Sequence, residues 1–353
     1  MFSFADKSGY GWFFTSVKRL GGFVSTIALT LMGLLTVTFI IGRLLPGDPV
    51  ISVIGDRAPE ALYQRVYHEM NLDRPLYEQF FLFCEKMLAG DFGNSLVTGN
   101  AIIDDMKRFF PATFELATLA IVIGIISGIF LGVICVRYPG RWQDHVGRFI
   151  AIFGHSVPVF WLGLIGLLVF YAKLGWVSGP GRIDIAYEYS VEDITGMVLV
   201  DAIITGEYAA FFNAVSHCIL PASLLGIVAT SYIARMTRGF LLHQMREHYV
   251  KVLRLKGLSL GRIIILHALP NSAGAILSVI AMTYAYLLEG AVLTETVFAW
   301  PGIGTYITNS LFAADINAVL TATLLVGIIY LALNLFVEWL QTSIDPRTRS
   351  RKI

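Results

Sequence analysis

Charge is what this sequence has least of. Asp, Glu, Lys and Arg make up 14% of its 353 residues, where a soluble domain carries about a quarter. That excludes an ordinary soluble globular protein. Cysteine is nearly absent too. Cys84, Cys135 and Cys218 are scattered and form no C-x-x-C pair, which excludes an evident disulfide framework or zinc site and leaves thiols used as small packing residues. No G-x-x-x-x-G-K-[ST] occurs, so the chain has no P-loop of its own for ATP. Without H-E-x-x-H or G-x-S-x-G, readings as a membrane metalloprotease or a hydrolase elbow lack support. The histidines show no ligand spacing; His243 and His248 miss the i,i+4 step that two helical ligands need. No metal site is expected.

What is present is apolar: 56% of residues are hydrophobic, gathered in long runs. Six are long enough to cross a bilayer, at about 22–44, 112–136, 148–172, 214–236, 271–293 and 317–340. A span takes about 20 residues of helix, and in lipid a helix is the form that satisfies its own backbone. The chain reads as an all-α polytopic membrane protein whose surroundings are the lipid bilayer. Residues 1–21 precede the first span. Its apolar run is too long for a cleaved signal, so it is read as retained. Residues 45–111 form a structured excursion, 112–340 a core with five spans, and 341–353 a tail.

Lys and Arg placement sets the orientation. With the N-terminus cytoplasmic, the inside segments hold 17 of the 26 Lys and Arg. The two shorter outside loops hold only Lys173 and Arg182. The positive-inside rule therefore puts both termini in the cytoplasm. A net charge of +1 gives no reason to expect a nucleic-acid partner.

The first excursion contains two amphipathic stretches, 59–70 and 75–89, then a turn at Gly90-Asp91-Phe92-Gly93. The second, 173–213, is acidic and is read as a lid, a docking surface or a solvated loop. Gly154-His155-Ser156-Val157-Pro158 interrupts the third span. It is either a kink with local hydrogen bonds or a polar point, at His155 and Ser156, on a substrate path. Glu289, with Tyr286 beside it, lies in the outward half of the fifth span. A carboxylate there is expensive unless it meets water or a partner. Between the last two spans, Glu295, Trp300, Pro301 and Gly302 mark a short re-entrant or interfacial hairpin, with Trp300 at headgroup level.

The most unusual stretch is Arg246–Pro270, the centre of a polar loop over 238–270. It contains Arg246, Lys251, Arg254, Lys256, Arg262, His248 and His267 against one acid, Glu247. On a helix, Tyr249, Val252, Leu253 and the stem of Lys256 share one side. Glu247 and Lys251 form an i,i+4 pair, and Gly257 stops the helix.

This stretch resembles the "EAA" loop of ABC-importer permeases. In the peptide-importer branch the loop commonly reads E-D-Y-V-R-T-A-R-A-K-G-L; here it is E-H-Y-V-K-V-L-R-L-K-G-L. Glu247, Tyr249, Val250, Arg254, Lys256, Gly257 and Leu258 match, while His248, Val252, Leu253 and Leu255 depart. Other motifs follow in the family's order. They are Leu44–Pro49, Leu72–Leu76, Gly90–Ser95, Pro111–Leu116, Ala234–Arg238 and Thr294–Gly304, then Leu333–Val337 with Asp345-Pro346-Arg347. The chain is similar to the B-type subunit of dipeptide permeases.

The resemblance implies a type I ABC importer permease fold. It implies a cytoplasmic coupling helix around Glu247–Gly257, with Leu258 among the coupling residues, and a structured periplasmic loop after the first span. Implied partners are a second permease subunit, two cytoplasmic ATPase subunits that bind ATP and Mg, and a periplasmic substrate-binding protein. The chain itself would hold no cofactor and catalyse nothing, and would sit in a bacterial inner membrane. Dipeptides or short oligopeptides are the implied cargo. Nickel complexes, glutathione, and sugar or opine conjugates are moved by related permeases. Outside this family the alternative is a stand-alone secondary carrier.

Overall fold

In the computed structural model, residues 25, 27–41, 49–55 and 57–344 are described. The motif 44–48, the basic residues before 25 and the tail from 345 lie outside them. The described chain is almost entirely helical, and it divides into two compact units. One comprises the described part of Met1–Ile102 with Ser310–Leu331, the other Ile103–Asn309 with Ala332–Ile344 and the remaining tail.

In the first unit, helix α1 (Ile27–Ile41) is apolar but short. Helices α2 (Pro49–Ile54), α3 (Glu60–Glu69) and α4 (Leu76–Leu88) follow; α3 and α4 fall where amphipathic helices are expected. Gly90–Ser95 does more than turn the chain. Ser95 Oγ and the Leu96 N–H both donate to the Asp315 carboxylate, at 2.8 and 2.5 Å. The same carboxylate accepts the Ala318 N–H at 3.1 Å, in the first turn of helix α16 (Ile316–Ile344). A buried acid at a helix N-terminus satisfies orphan N–H groups and complements the dipole.

The second unit is built on α5 (Ile102–Arg137) and α10 (Tyr208–Gln244). Helix α5 runs through Pro111 and so begins well before the expected span at 112, and α10 runs through Pro221. In long apolar helices, neighbouring groups re-satisfy the carbonyl that a proline frees. Gly124, Gly128 and Gly132 lie one turn apart on α5, against Ala229, Ile233 and Thr237 of α10. A Cβ on Gly128 or Gly132 would come within 2.8 Å of its neighbour, so the bareness of this stripe sets how near the helices lie.

The expected third span is not one rod. Helix α6 (Trp142–Ser156) and helix α7 (Val159–Lys173) meet at 99°. Pro158 has no N–H to continue the ladder, and Val157 takes an extended conformation before it. Helices α8 (Ile185–Glu188) and α9 (Val198–Ile204) order the second excursion. Beyond α10 come α11 (His248–Leu255), α12 (Leu260–Ile263), a π-helical turn at Ile264–Ala268 and α13 (Leu269–Gly290). The last pieces run without a break, so this span begins at Leu260 and not near 271. Pro270 cannot donate, and the backbone widens into the π turn just before it. Helices α14 (Val292–Val297) and α15 (Ile303–Phe312) lead to α16. Among the described residues, four helices are long and apolar enough to cross a membrane, or five counting α6–α7 as one broken span.

Candidate functional site

Helix α11 sits on the interhelical polar segment. Glu247 takes the extended N-cap conformation without a side-chain cap bond. Its carboxylate approaches His243 at 3.9 Å, so the expected partner Lys251 is replaced by a histidine one turn back on α10. Tyr249 Oη donates to Gln244 Oε1 at 2.9 Å. Val250 is 1% exposed and is the residue that pins the helix. The packed side is Tyr249, Val250 and Leu253. Val252, expected on that side, is 50% exposed, and Leu255 is 88% exposed. His248, Lys251, Arg254 and Lys256 are exposed around them. The register is set by Val250, which pairs with Leu253 at i,i+3.

The helix ends in a Schellman motif. The Leu258 N–H donates to Leu253 O at 3.2 Å and the Gly257 N–H to Arg254 O at 2.9 Å. Gly257 has φ +81°, a left-handed conformation in which a Cβ is disfavoured. A Cβ there would meet nothing within 4 Å, so backbone conformation, not space, selects the glycine. On the elements that precede and follow α11, Leu241, Ile264 and Ala268 form an apolar cluster with Val136 of α5. Beside it, Asp144 of α6 accepts Arg238 Nε at 3.0 Å and Nη2 at 3.3 Å. Arg148 stands 3.7 Å from the same carboxylate. That pair ties the broken span to α10, just before α10 leads into α11.

The Glu295–Gly302 hairpin is built in the opposite way. Glu295 and Trp300 are both 0% exposed. Trp300 is therefore a core residue and not a surface anchor; its Nε1–H donates to Ala112 O at 2.9 Å. Thr113 Oγ1 donates to Glu295 Oε1 at 2.6 Å and accepts the Ile303 N–H at 2.9 Å. Glu295 Oε2 accepts the Thr305 N–H at 3.1 Å. Burial pushes the Glu295 carboxyl above the ordinary range, against the hydrogen bonds that favour its charge. A Cβ on Gly302 would run into that carboxylate. Pro301 turns the chain beside them.

Sequence reasoning missed the groups that hold this region. Glu115, two residues past Thr113, accepts Arg182 Nη2 at 2.5 Å and Nε at 3.0 Å, and the Leu199 N–H at 2.8 Å. Asp201 accepts the Thr195 N–H at 2.9 Å, Thr195 Oγ1 at 2.7 Å and the Gly196 N–H at 3.1 Å. The second excursion is thus not a merely solvated loop. The signal available was the mid-helical Glu115 at a depth where a carboxylate needs a partner.

The other expected positions do not converge. His155 and Ser156 are exposed at the end of α6, while Gly154 beside them packs on Ser231 and Ile227 of α10. Tyr286 is 58% exposed. Two residues away, Tyr284 turns inward to Thr118, 2.9 Å between the oxygens. Glu289 lies on α13, but its side chain is outside the described residues. Among the described residues no cluster of His, Cys, Asp or Glu has the makings of a metal site.

These features can be set beside known proteins. Residues 120–350 match the family model described as binding-protein-dependent transport system inner membrane component. The chain is 40% identical to the probable D,D-dipeptide transport system permease protein DdpB of Escherichia coli K12, over 91% of this chain and 94% of that protein. It is 37% identical to the di/tripeptide transport system permease protein DppB of Pseudomonas aeruginosa UCBPP-PA14, over 95% and 98%. Among solved structures it is similar in fold to a chain of the MetNI methionine ABC transporter in inward-facing conformations. The TM-score is 0.50 at 15% identity, covering 66% of this chain and 93% of that one. Matched over most of its length and carrying several apolar membrane-length helices, the chain belongs to the family of binding-protein-dependent transport system inner membrane components.

Proposed function

We propose that this chain is one permease subunit of an ATP-driven importer that brings dipeptides or short oligopeptides from a periplasmic binding protein into the cytoplasm. The peptide substrates named for its relatives support this reading. In it, six spans place both termini in the cytoplasm, as the distribution of Lys and Arg favours. The excursion after the first span and the hairpin at 295–302 then face the periplasm. A second permease subunit completes the path. Two ATPase subunits hold the nucleotide and Mg; this chain holds no cofactor and performs no chemistry.

One observation carries the reading. Helix α11 is locked on one side by Val250 and at its end by Gly257, while Val252, Leu255 and four basic or near-basic side chains on its other side have no cover. A rigid short helix with an apolar centre and a basic rim has the anatomy of a docking element. When the ATPases close and reopen, α11 moves with them. Through the Tyr249–Gln244 hydrogen bond and the Asp144–Arg238 pair, that motion reaches α10 and the bent pair α6–α7. A two-state membrane element is biased through one rigid contact.

The test is deletion of residues 246–258. The shortened chain is expected to insert in the membrane and to lose the ATPase subunits on purification. Retention of the ATPases at the wild-type level would overturn the coupling role.

A further inference from the structure

The Arg182–Glu115 clamp borders a pocket of about 430 Å³, within the range of roughly 300–1,000 Å³ typical of small-molecule sites. The wall is built rather than accidental. Arg182 is held by Glu115 and by Gly196 O at 2.8 Å, and its ring-facing side lies 5.8 Å over Trp300. Asp201 fixes the 194–196 turn through backbone N–H groups. Pro301 of the hairpin closes another side. Around this fixed wall, three charged side chains that line the pocket are left over. Arg108, Glu188 and Asp193 make no hydrogen bond or ion pair with any described residue. Arg182 itself keeps Nη1 without an acceptor among the described residues; the Phe109 ring adds apolar wall, and the exposed Tyr189 also lines the pocket.

A cation and two carboxylates without hydrogen-bond or ion-pair partners around one pocket, the cation stacked 5.9 Å over the Phe109 ring, suit a molecule that carries both charges at a short separation. We propose that this pocket is a receiving site for a free dipeptide. The peptide carboxylate meets Arg108 and Arg182 Nη1, and the peptide ammonium meets Glu188 and Asp193. Charge-assisted hydrogen bonds of this kind are the strong ones, and the prefixed Arg182 loses little freedom on binding. The side chains of the peptide contribute apolar contact with Phe109 and Tyr189 and little selectivity. The proposal rests on the peptide-import reading for the identity of its ligand.

The experiment uses the full chain with its co-purified partner subunits in nanodiscs, without binding protein. Binding of radiolabelled Ala-Ala is measured by equilibrium dialysis, with N-acetyl-Ala-Ala and Ala-Ala amide as the singly charged controls. Wild type is expected to bind Ala-Ala. Arg108→Gln and the double variant Glu188→Gln/Asp193→Asn are expected to weaken it at least about fivefold, as are both blocked analogues. These side chains are exposed, so the variants keep the fold. No binding to wild type, or equal binding across variants and analogues, overturns the site. So does a pattern in which the variants lower only the activation of ATP hydrolysis by unloaded binding protein, since the occupant would then be that protein's surface. Import of Ala-Ala with binding protein present is measured in parallel. Binding in the expected pattern without import removes the peptide-import reading and leaves the pocket; import without that pattern does the reverse.

Discussion

Two polar interruptions divide the apolar sequence of this permease, and they are built on opposite plans. At the hairpin, Glu295 and Trp300 are entirely buried and each polar atom quoted above has a partner on α5 or α15. At α11, the buried side chain is Val250, and the polar and large apolar residues around it point outward. A buried carboxylate persists because its donors are placed for it. An exposed Leu255 on a helix that is otherwise fixed is left for something outside the chain. The hairpin is thus a joint internal to the subunit, and α11, on the function proposed above, is a contact offered to another. Substitutions at the two places should therefore fail differently.

The largest effect is expected at the joint. Glu295→Ala leaves Thr113 Oγ1 and the Thr305 N–H without an acceptor inside a region closed to water. Each unsatisfied donor costs about 1–3 kcal/mol, and the vacated volume adds to that. A loss of about 3 kcal/mol or more is expected, read as a lower unfolding midpoint in detergent. Glu295→Gln keeps an acceptor oxygen and should lose less. The pH dependence separates the two further. Burial raises the folded-state pKa of Glu295 above its unfolded value. Its protonation therefore stabilises the fold fully below the ordinary glutamate range, and that contribution is lost as pH rises through the raised value. Wild type should lose stability over that window, and Glu295→Gln should flatten the curve. A parallel pH profile in both proteins would mean that Glu295 is not the group titrating.

The same contrast shows what was legible. The helical class, the apolar segments behind four of the spans and the short helix ended by Gly257 follow from apolar run length and the glycine stop, both of which are local. Helical spacing groups Val252 with Tyr249, Leu253 and Lys256 on one side of α11 and says nothing of Val250. Which of the two valines is covered depends on how α11 lies against the rest of the chain, and that leaves Val250 1% and Val252 50% exposed. Trp300 was taken for an interface anchor because aromatic residues beside a turn often are; its burial depends on Ala112, some 190 positions away. Pro158 and Pro270 were visible as interruptions, yet a 99° bend and a π turn are different answers to one missing N–H. The neighbours decide which. The Gly124-Gly128-Gly132 stripe, by contrast, was readable as small residues one turn apart and passed unnoticed within the apolar run.

A smaller effect is expected at Gly257. Gly257→Ala places a Cβ in the left-handed region, at about 1–2 kcal/mol, without any clash, since nothing lies within 4 Å. Global stability should fall by no more than that. The local consequence is larger, because the Schellman bonds from Leu258 and Gly257 fix the direction in which the chain leaves α11 for α12. ATPase retention should weaken while the unfolding midpoint moves only slightly. A large fall in the midpoint with full retention would place α11 among the internal joints and erase the contrast.

The least effect on stability and the sharpest on partnership is expected from Val252→Ser with Leu255→Ser. Both side chains are exposed in the isolated subunit, so the change should stay within about 0.5 kcal/mol of wild-type stability. If a partner covers them, burial of one leucine alone is worth about 2 kcal/mol, roughly thirtyfold in affinity. The double variant should therefore unfold like wild type and release its ATPase subunits at concentrations where wild type holds them. Val250→Ser is the matched control, since it alters the covered side of the same helix and should lower stability first. If the outward pair and Val250 behave alike, α11 is held from both sides by this chain and its exposed face has no partner to serve.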